Sequence, residues 1–114
     1  MPIVDITLIG EARAAPTLCD DLAQEIGRAI GAAEGSLWVT LTQRPASDYA
    51  ENGPPPQPLP VFARVLARGK DAARRVTWAQ AIAGAVAATL ERPLDRVHVI
   101  FEPDADGRVF FGGR

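Results

Sequence analysis

The stretch that decides the fold of this chain is Met1-Pro2-Ile3-Val4-Asp5-Ile6-Thr7-Leu8-Ile9-Gly10. Ile, Val and Thr favour a pleated and well-covered β-strand. Proline has no N–H to donate to a neighbouring strand, so Pro2 fits only at the first position of such a strand or on a sheet edge. We therefore predict a buried strand from about Pro2 to Ile9.

Pro2 gains a chemical role if Met1 is removed. It would then carry a free secondary amine in apolar surroundings, where burial lowers the pKa of an amine because the charged form is disfavoured. An amine that is neutral near pH 7 can take and return a proton or attack a carbonyl. A retained Met1 would leave the proline nitrogen as an amide with no basic lone pair. The alternative is that Met-Pro is an ordinary start without chemistry.

Composition narrows the class of protein. The chain has 114 residues, of which 47% are hydrophobic, and a net charge of −2, so it is expected to form one domain with a modest core. Acidic and basic residues are interspersed, which argues against nucleic-acid and membrane partners. The first ten residues lack the basic start of a signal peptide, and no apolar run is long enough for a bilayer. The one cysteine, Cys19, excludes an internal disulfide and favours a cytoplasmic location.

An amphipathic helix is predicted after the first strand. Thr17, with Asp20 three positions later, matches the capping-box pattern at a helix start. Gly31 is a typical helix end, and a second strand follows at 37–42 with Trp38 on one face. Apolar residues of the helix recur every fourth position, which predicts one face packed on a sheet: Leu18, Leu22, Ile26 and Ile30.

The second half repeats this order. Residues 54–60 are rich in proline and predict a polyproline II segment in a stiff connector. A strand at 61–67 follows, Asp71 is placed to cap the next helix, and a last strand covers 96–101. The helix again shows a period of four in its larger apolar residues: Trp78, Ile82, Val86 and Leu90.

These elements predict one α/β (α+β) domain over residues 1–114. Its parts are repeat one at about 2–42, a connector at about 43–60, repeat two at about 61–101 and a tail at 102–114. Each helical crossover makes its two strands parallel, so the two β-α-β units predict a four-stranded, mainly parallel sheet with both helices on one face. The opposite face is too apolar to leave to water, and we expect copies of the chain to cover it. Residues expected on it are Trp38, Thr40, His98 and Ile100.

The Met-Pro start, the tandem β-α-β repeat and the glycine-rich tail together resemble the tautomerase superfamily. That group includes 4-oxalocrotonate tautomerase, macrophage migration inhibitory factor, cis-3-chloroacrylic acid dehalogenase and malonate semialdehyde decarboxylase. The segments that carry the resemblance best are Pro2-Ile3-Val4, residues 93–100 and Phe111-Gly112-Gly113. Three further segments look most like the long-chain decarboxylase and dehalogenase branches: Arg68-Gly69-Lys70, Gln43-Arg44-Pro45 and residues 102–106.

The resemblance implies a homotrimer of the tautomerase/MIF-like fold without metal or organic cofactor. It implies an isomerase in which Pro2, once freed, is the catalytic base that moves a proton on a small 2-oxo, enol or unsaturated carboxylic acid. Such chemistry needs cations to hold the carboxylate and stabilise the developing enolate. Arg68 and Lys70 occupy the place where the long-chain branches carry basic residues. Arginine grips a carboxylate through two parallel bonds, whereas lysine acts as a point charge.

Three further substrate-binding candidates are carried over by position. Arg13 lies near the arginine that follows strand one in the short tautomerases. Trp38 and His98 stand where those enzymes carry a strand-two arginine, so that binding mode is absent here. The decarboxylase branch has an acidic residue before strand two that helps a water molecule to react. Glu34 is the nearest acidic residue here, and it is out of register with that position. Simple proton transfer is therefore favoured over decarboxylation or hydration.

Alternative roles remain open for these residues. The chain could be a non-catalytic trimeric binding or scaffold protein that keeps Met1, or a decarboxylase or hydratase of the same superfamily. Arg68 and Lys70 could be ordinary solvated turn residues, and His98 a structural or interface residue. Phe110 and Phe111 could line a pocket of a neighbouring subunit or only hold subunits together.

Overall fold

The computed structural model describes residues 2–12 and 15–114. The β-strands within these residues are β1 (Ile3–Ile9), β2 (Trp38–Arg44), β3 (Val61–Leu66) and β4 (Val97–Phe101). The helices are α1 (Leu18–Ile30) and α2 (Ala72–Leu90), with short 3-10 turns at Ala46–Asp48, Leu94–Arg96 and Phe111–Gly113. The order along the chain is therefore strand, helix, strand, twice.

The strands form one mixed sheet in the order β2-β1-β3-β4. β1 is parallel to β2 and β3 is parallel to β4, while the central pair β1 and β3 is antiparallel. The predicted four-stranded, mainly parallel α/β sheet is confirmed. Because the central pair is antiparallel, equivalent ends of the two β-α-β units lie at opposite ends of the sheet.

Both helices cover the same face of the sheet. Every second residue of the central strands is buried there, since successive side chains of a strand point to opposite faces: Val4, Ile6 and Leu8 on β1, and Val61, Ala63 and Val65 on β3. They form one core with the apolar faces of the helices, which include Leu22, Ile26, Ile82 and Val86. None of the helices in the described residues has the length and apolar character needed to cross a bilayer.

The opposite face of the sheet, called here the open face, is not covered within one chain. Trp38, Thr40 and His98 are exposed on it and Ile100 is half-buried, as the alternation along the strands predicted. Two of its charged side chains have side-chain partners. Thr40 donates its hydroxyl to the Asp5 carboxylate at 2.5 Å, and Arg64 lies 3.5 Å from Glu102.

The two helix starts differ from each other. The predicted capping box at α1 is wrong: the Thr17 side chain bonds no backbone N–H, and its hydroxyl instead donates to the Asp21 carboxylate at 3.3 Å. The reason is the backbone of Thr17, with ψ of 13° rather than the extended value of a capping residue. Asp71 is extended, with ψ of 176°, and accepts the backbone N–H of Arg74 at 2.9 Å, so this predicted cap is confirmed.

The proline-rich connector is not one continuous polyproline II helix, contrary to the prediction. The Gln57–Pro58 peptide bond is cis. The chain also bends at residues 57 and 58. Two arginines hold this segment. Arg92 donates to the Leu59 carbonyl at 2.6 Å, and Arg96 donates to the Pro58 carbonyl at 2.8 Å.

Candidate active site

Pro2 is buried at the end of the sheet where β1 begins. Its carbonyl accepts the backbone N–H of Trp38 at 3.1 Å. The next residue, Ile3, lies opposite Trp38 on β2 and opposite Leu66 on β3. Pro2 therefore lies at the end of the sheet where β2 begins and β3 ends.

Arg68 follows β3 at the same end of the sheet, because β3 runs antiparallel to β1. One guanidinium nitrogen donates to the Val109 carbonyl at 3.2 Å, and the guanidinium carbon lies 5.6 Å from the ring centre of Phe111. Among residues 2–12 and 15–114, no carboxylate lies within ion-pair distance of Arg68. Among the described residues, Arg68 thus presents a positive charge without a paired carboxylate, at the same end of the sheet as the buried Pro2.

Two aromatic rings complete this end of the sheet. The rings of Trp38 and Phe111 meet edge to face, with centres 5.1 Å apart and planes at 89°. The indole N–H of Trp38 donates to the Gly35 carbonyl at 3.1 Å, which orients the ring. The four residues Pro2, Trp38, Arg68 and Phe111 are called the Pro2 edge below.

The C-terminal tail reaches the Pro2 edge because it continues along β3. The backbone N–H groups of Glu102 and Ala105 donate to the carbonyls of Val65 and Ala67 at 2.9 and 3.1 Å. The Asp104 carboxylate accepts the backbone N–H groups of Asp106 and Gly69 at 2.8 and 2.9 Å. These two bonds, and more weakly the charge of Arg68, lower the pKa of Asp104.

The remaining predicted site residues lie elsewhere. The Lys70 ammonium lies 4.3 Å from the ring centre of Trp78, so it rests on α2. His98 lies opposite Phe62, which lies opposite Thr7, so His98 is towards the other end of the sheet. Arg13 lies outside the described residues. Within one chain, Pro2, Arg68 and Trp38 lie at the same end of the sheet, the Lys70 ammonium rests on α2, and His98 lies towards the other end.

A second polar cluster lies at that other end of the sheet. The Glu51 carboxylate accepts the Tyr49 hydroxyl and an Arg96 N–H, each at 2.6 Å. The hydrogen bond from Arg96 lowers the pKa of Glu51, and the bond to Glu51 raises the pKa of Tyr49. Tyr49 and Glu51 border a cavity of about 340 Å³ beside the connector residues Pro55 and Leu59. All three polar groups are engaged with one another, so this cluster fastens the connector rather than exposing a reactive group.

No protein-family model and no curated protein sequence matches this chain. Solved structures do match it. The native fused 4-OT has a TM-score of 0.80 at 21% identity, over 98% of this chain and 94% of that one. Malonate semialdehyde decarboxylase has a TM-score of 0.70 at 18% identity, over 98% and 92%. The macrophage migration inhibitory factor of Trichinella spiralis has a TM-score of 0.71 at 13% identity, over 97% and 96%.

The chain has the tautomerase-superfamily fold. The predicted resemblance is thereby confirmed at the level of the fold. Two of the matching structures are fused 4-OT proteins described as a symmetric and an asymmetric trimer. In this version of the tautomerase fold, both central strands follow a buried proline, Pro2 before β1 and Pro60 before β3.

Sequence reasoning missed one residue of the Pro2 edge. Phe111 was considered only as a contact to neighbouring subunits, yet it lies against Trp38 and Arg68 of its own chain. No local pattern could have located it, because its position depends on hydrogen bonds between the tail and β3. The presence of Phe-Gly-Gly near the end of the chain was the only available signal.

Proposed function

We propose that this chain is an enzyme of the tautomerase superfamily, an isomerase that moves a proton on a small 2-oxo, enol or unsaturated carboxylic acid. The observation that supports this most is the Pro2 edge, where a buried proline lies at the same end of the sheet as an arginine that has no carboxylate partner in residues 2–12 and 15–114. A base and an anion holder are the two groups that such a proton transfer requires.

In the proposed mechanism, removal of Met1 frees the Pro2 amine. Burial lowers the pKa of that amine, which leaves part of it neutral near pH 7. The neutral nitrogen takes a proton from carbon next to the substrate carbonyl, and the resulting ammonium returns it to oxygen or to another carbon. Arg68 holds the substrate carboxylate through two parallel N–H bonds and stabilises the negative charge that develops.

The proposed active form is a homotrimer. On the open face, Trp38 is exposed and Phe62 and Ile100 are only half-buried within one chain, and apolar surface of this kind favours association. The trimeric fused 4-OT structures support the same assembly. Arg13, Lys70 and His98 stay candidate substrate-binding residues. His98 would have to act at the Pro2 edge of a neighbouring copy, since it lies towards the far end of its own sheet.

The test compares the mature protein with Pro2→Ala. Intact-mass spectrometry first establishes the loss of Met1, and rates are then measured on phenylenolpyruvate and 2-hydroxymuconate. Loss of the base should lower kcat/KM by about 100-fold or more. Pro60→Ala is the matched control, because Pro60 is also buried before a central strand but carries no amine. Equal rates for the wild type and Pro2→Ala would refute the role of Pro2.

The same protein samples distinguish the proposed isomerase from two other functions. A non-catalytic binding or scaffold trimer would retain Met1 in its native cell, and neither substrate would be turned over. A decarboxylase or hydratase is supported by the fold shared with malonate semialdehyde decarboxylase. Release of carbon dioxide from malonate semialdehyde, faster than either isomerisation, would place that activity first.

A further inference from the structure

Asp104 lies in the C-terminal tail, beside the turn that follows β3 and carries Arg68. We propose that Asp104 is a positioning residue: its carboxylate fixes the backbone around Arg68 and so holds the guanidinium in place to bind the substrate carboxylate. Asp104 acts through Arg68 and does not itself touch the substrate. The inference rests on the proposed function, because it concerns the anion holder of the same site.

The tail holds both peptide groups that flank Arg68. On one side, the backbone N–H of Ala105 donates to the carbonyl of Ala67 at 3.1 Å. On the other side, the backbone N–H of Gly69 donates to the Asp104 carboxylate at 2.9 Å. Ala105 is fully buried, so both bonds come from an anchored part of the tail. Because each peptide group is planar, fixing the two neighbouring groups leaves the backbone of Arg68 little freedom to rotate.

The bond to Asp104 matters because Gly69 has a flexible backbone. Its φ is 64°, in the left-handed region that glycine enters at no steric cost. Glycine also adopts many other conformations, so the turn needs a bond that selects this one. A carboxylate that accepts a backbone N–H makes a charge-assisted hydrogen bond, which is stronger than a bond between neutral groups. Without the carboxylate, the turn and the Arg68 side chain on it would sample several positions.

Asp104 holds the turn without neutralising Arg68. Its two carboxylate oxygens accept backbone N–H groups, one from Gly69 and the other from Asp106 at 2.8 Å. Within residues 2–12 and 15–114, no ion pair joins Asp104 to Arg68. The bonds from Asp106 and Gly69 lower the pKa of Asp104 most, and the charge of Arg68 does so more weakly. The carboxylate is thus engaged by the backbone, and the guanidinium retains donors for a substrate.

The same part of the tail also places the second contact of Arg68. The guanidinium donates to the Val109 carbonyl at 3.2 Å, and the Val109 N–H donates to the Ala105 carbonyl at 3.1 Å. The bond from the Asp106 N–H to Asp104 closes the first part of this turn. Asp104 therefore supports Arg68 at its backbone and, through the tail, at its side chain.

The first test measures the binding of benzoate, a carboxylate with no enolisable proton, by isothermal titration calorimetry. Removing a negative charge near an anion site strengthens anion binding by Coulomb's law. Positioning predicts the opposite: Asp104→Ala should weaken benzoate binding about fivefold or more, because ordering Arg68 then costs conformational entropy. Asp106→Ala is the matched control and should not weaken binding, since it removes a carboxylate from the same turn but keeps the N–H that Asp104 accepts. Unchanged or tighter binding by Asp104→Ala would overturn the inference.

Asp104→Asn covers the case in which Asp104→Ala does not fold. The amide has nearly the same volume as the carboxylate, but only its oxygen can accept a backbone N–H. One of the two bonds is therefore lost, and benzoate binding should weaken here as well. An affinity equal to that of the wild type in this variant would equally overturn the inference.

A double-mutant cycle distinguishes positioning from a purely structural role. If Asp104 acts through Arg68, Asp104→Ala should lower kcat/KM for phenylenolpyruvate about fivefold or more in the wild type and cause no further loss in Arg68→Ala. A residue that only stabilised the fold would lower kcat/KM by the same factor in both backgrounds. Equal losses would therefore contradict the inference.

The two measurements separate this inference from the proposed catalysis. Benzoate binding that is lost in Arg68→Ala and weakened in Asp104→Ala, without turnover of any substrate, would support the positioning role and refute the isomerase. Turnover that requires Pro2 and Arg68 but is equal in the wild type and Asp104→Ala would support the isomerase and refute the positioning role. No binding of benzoate by the wild type would contradict the positioning role whatever the catalytic result.

Discussion

The guanidinium of Arg68, just after β3, lies 5.6 Å from the ring centre of Phe111 in the last turn of the chain. The same guanidinium donates to the carbonyl of Val109, two residues before that ring. Arg68 thus orders the C-terminal turn and is itself oriented by it. A side chain held in this way can bind an anion at a lower cost in conformational entropy than a free surface arginine.

Replacement of Arg68 tests its role as anion holder. We expect Arg68→Ala to lower kcat/KM by about 100-fold, since the charge facing the developing enolate is lost. Arg68→Lys should recover only part of the activity, because lysine cannot make two parallel bonds to a carboxylate. Arg74→Ala, which removes an exposed arginine of the first turn of α2, is the control. An Arg68→Ala enzyme as active as the control would exclude Arg68 from the site.

Of the arginines in the described residues, we expect Arg92 to contribute most to the free energy of unfolding. It donates to the carbonyls of Leu59, Ile9 and Glu11 at 2.6, 2.9 and 2.9 Å, and so ties the end of β1 to the connector. Arg92→Ala leaves these carbonyls without their charged donor and should lower the free energy of unfolding by about 2–3 kcal/mol. Urea denaturation at a fixed protein concentration measures this, since an assembled protein gains stability with concentration.

The control for Arg92 is an arginine in an exposed ion pair. Arg28 lies 2.6 Å from Glu25, with both side chains open to solvent. Arg28→Ala should change the free energy of unfolding by less than about 0.5 kcal/mol. Similar losses in the two variants would mean that the bonds from Arg92 do not stabilise the connector.

The two helix starts should respond differently to the loss of their side chains. Asp71→Ala removes the acceptor for the Arg74 N–H and should lower the free energy of unfolding by about 1 kcal/mol. Thr17→Ala removes no bond to the backbone and should cost less than about 0.5 kcal/mol. Thermal or urea unfolding compares them directly. A larger loss for Thr17→Ala would contradict the assignment of the caps.

The ionisation of Tyr49 tests the cluster of Tyr49, Glu51 and Arg96 that holds the connector. It is the only tyrosine in the chain, so the absorbance of tyrosinate follows its ionisation without interference. The hydrogen bond to Glu51 raises the pKa of Tyr49, and we expect Glu51→Gln to bring that pKa down towards its ordinary value of about 10. An unchanged titration curve in Glu51→Gln would show that the two side chains do not interact in solution.

Glu51 should also link stability to pH. The bond from Arg96 lowers the pKa of Glu51 in the folded protein. A carboxyl with a depressed pKa stabilises the fold above its unfolded pKa of about 4.3, and this contribution is lost as the pH falls through the folded value. In urea titrations, the advantage of the wild type over Glu51→Gln should therefore be present at pH 6 and shrink on acidification below about pH 4.

Some site residues could be placed from the sequence and others could not. Trp38 was placed on the correct strand and face because the alternation of a strand is local. Lys70 has a long flexible side chain, and only the packed structure shows that its ammonium rests on Trp78. His98 lies towards the far end of the sheet because β1 and β3 pair antiparallel, a choice that neither strand's residues specify.

The sequence by itself determined the order of strands and helices, the buried side of each and the proline at the start of β1. These features depend on periods of two and about four residues, which a short segment carries within itself. Only the tertiary structure decided the antiparallel central pair, the bends of the connector and the return of Phe111 to Arg68 and Trp38. Such arrangements depend on hydrogen bonds and ring contacts between residues far apart in the chain, so no single stretch of sequence contains them.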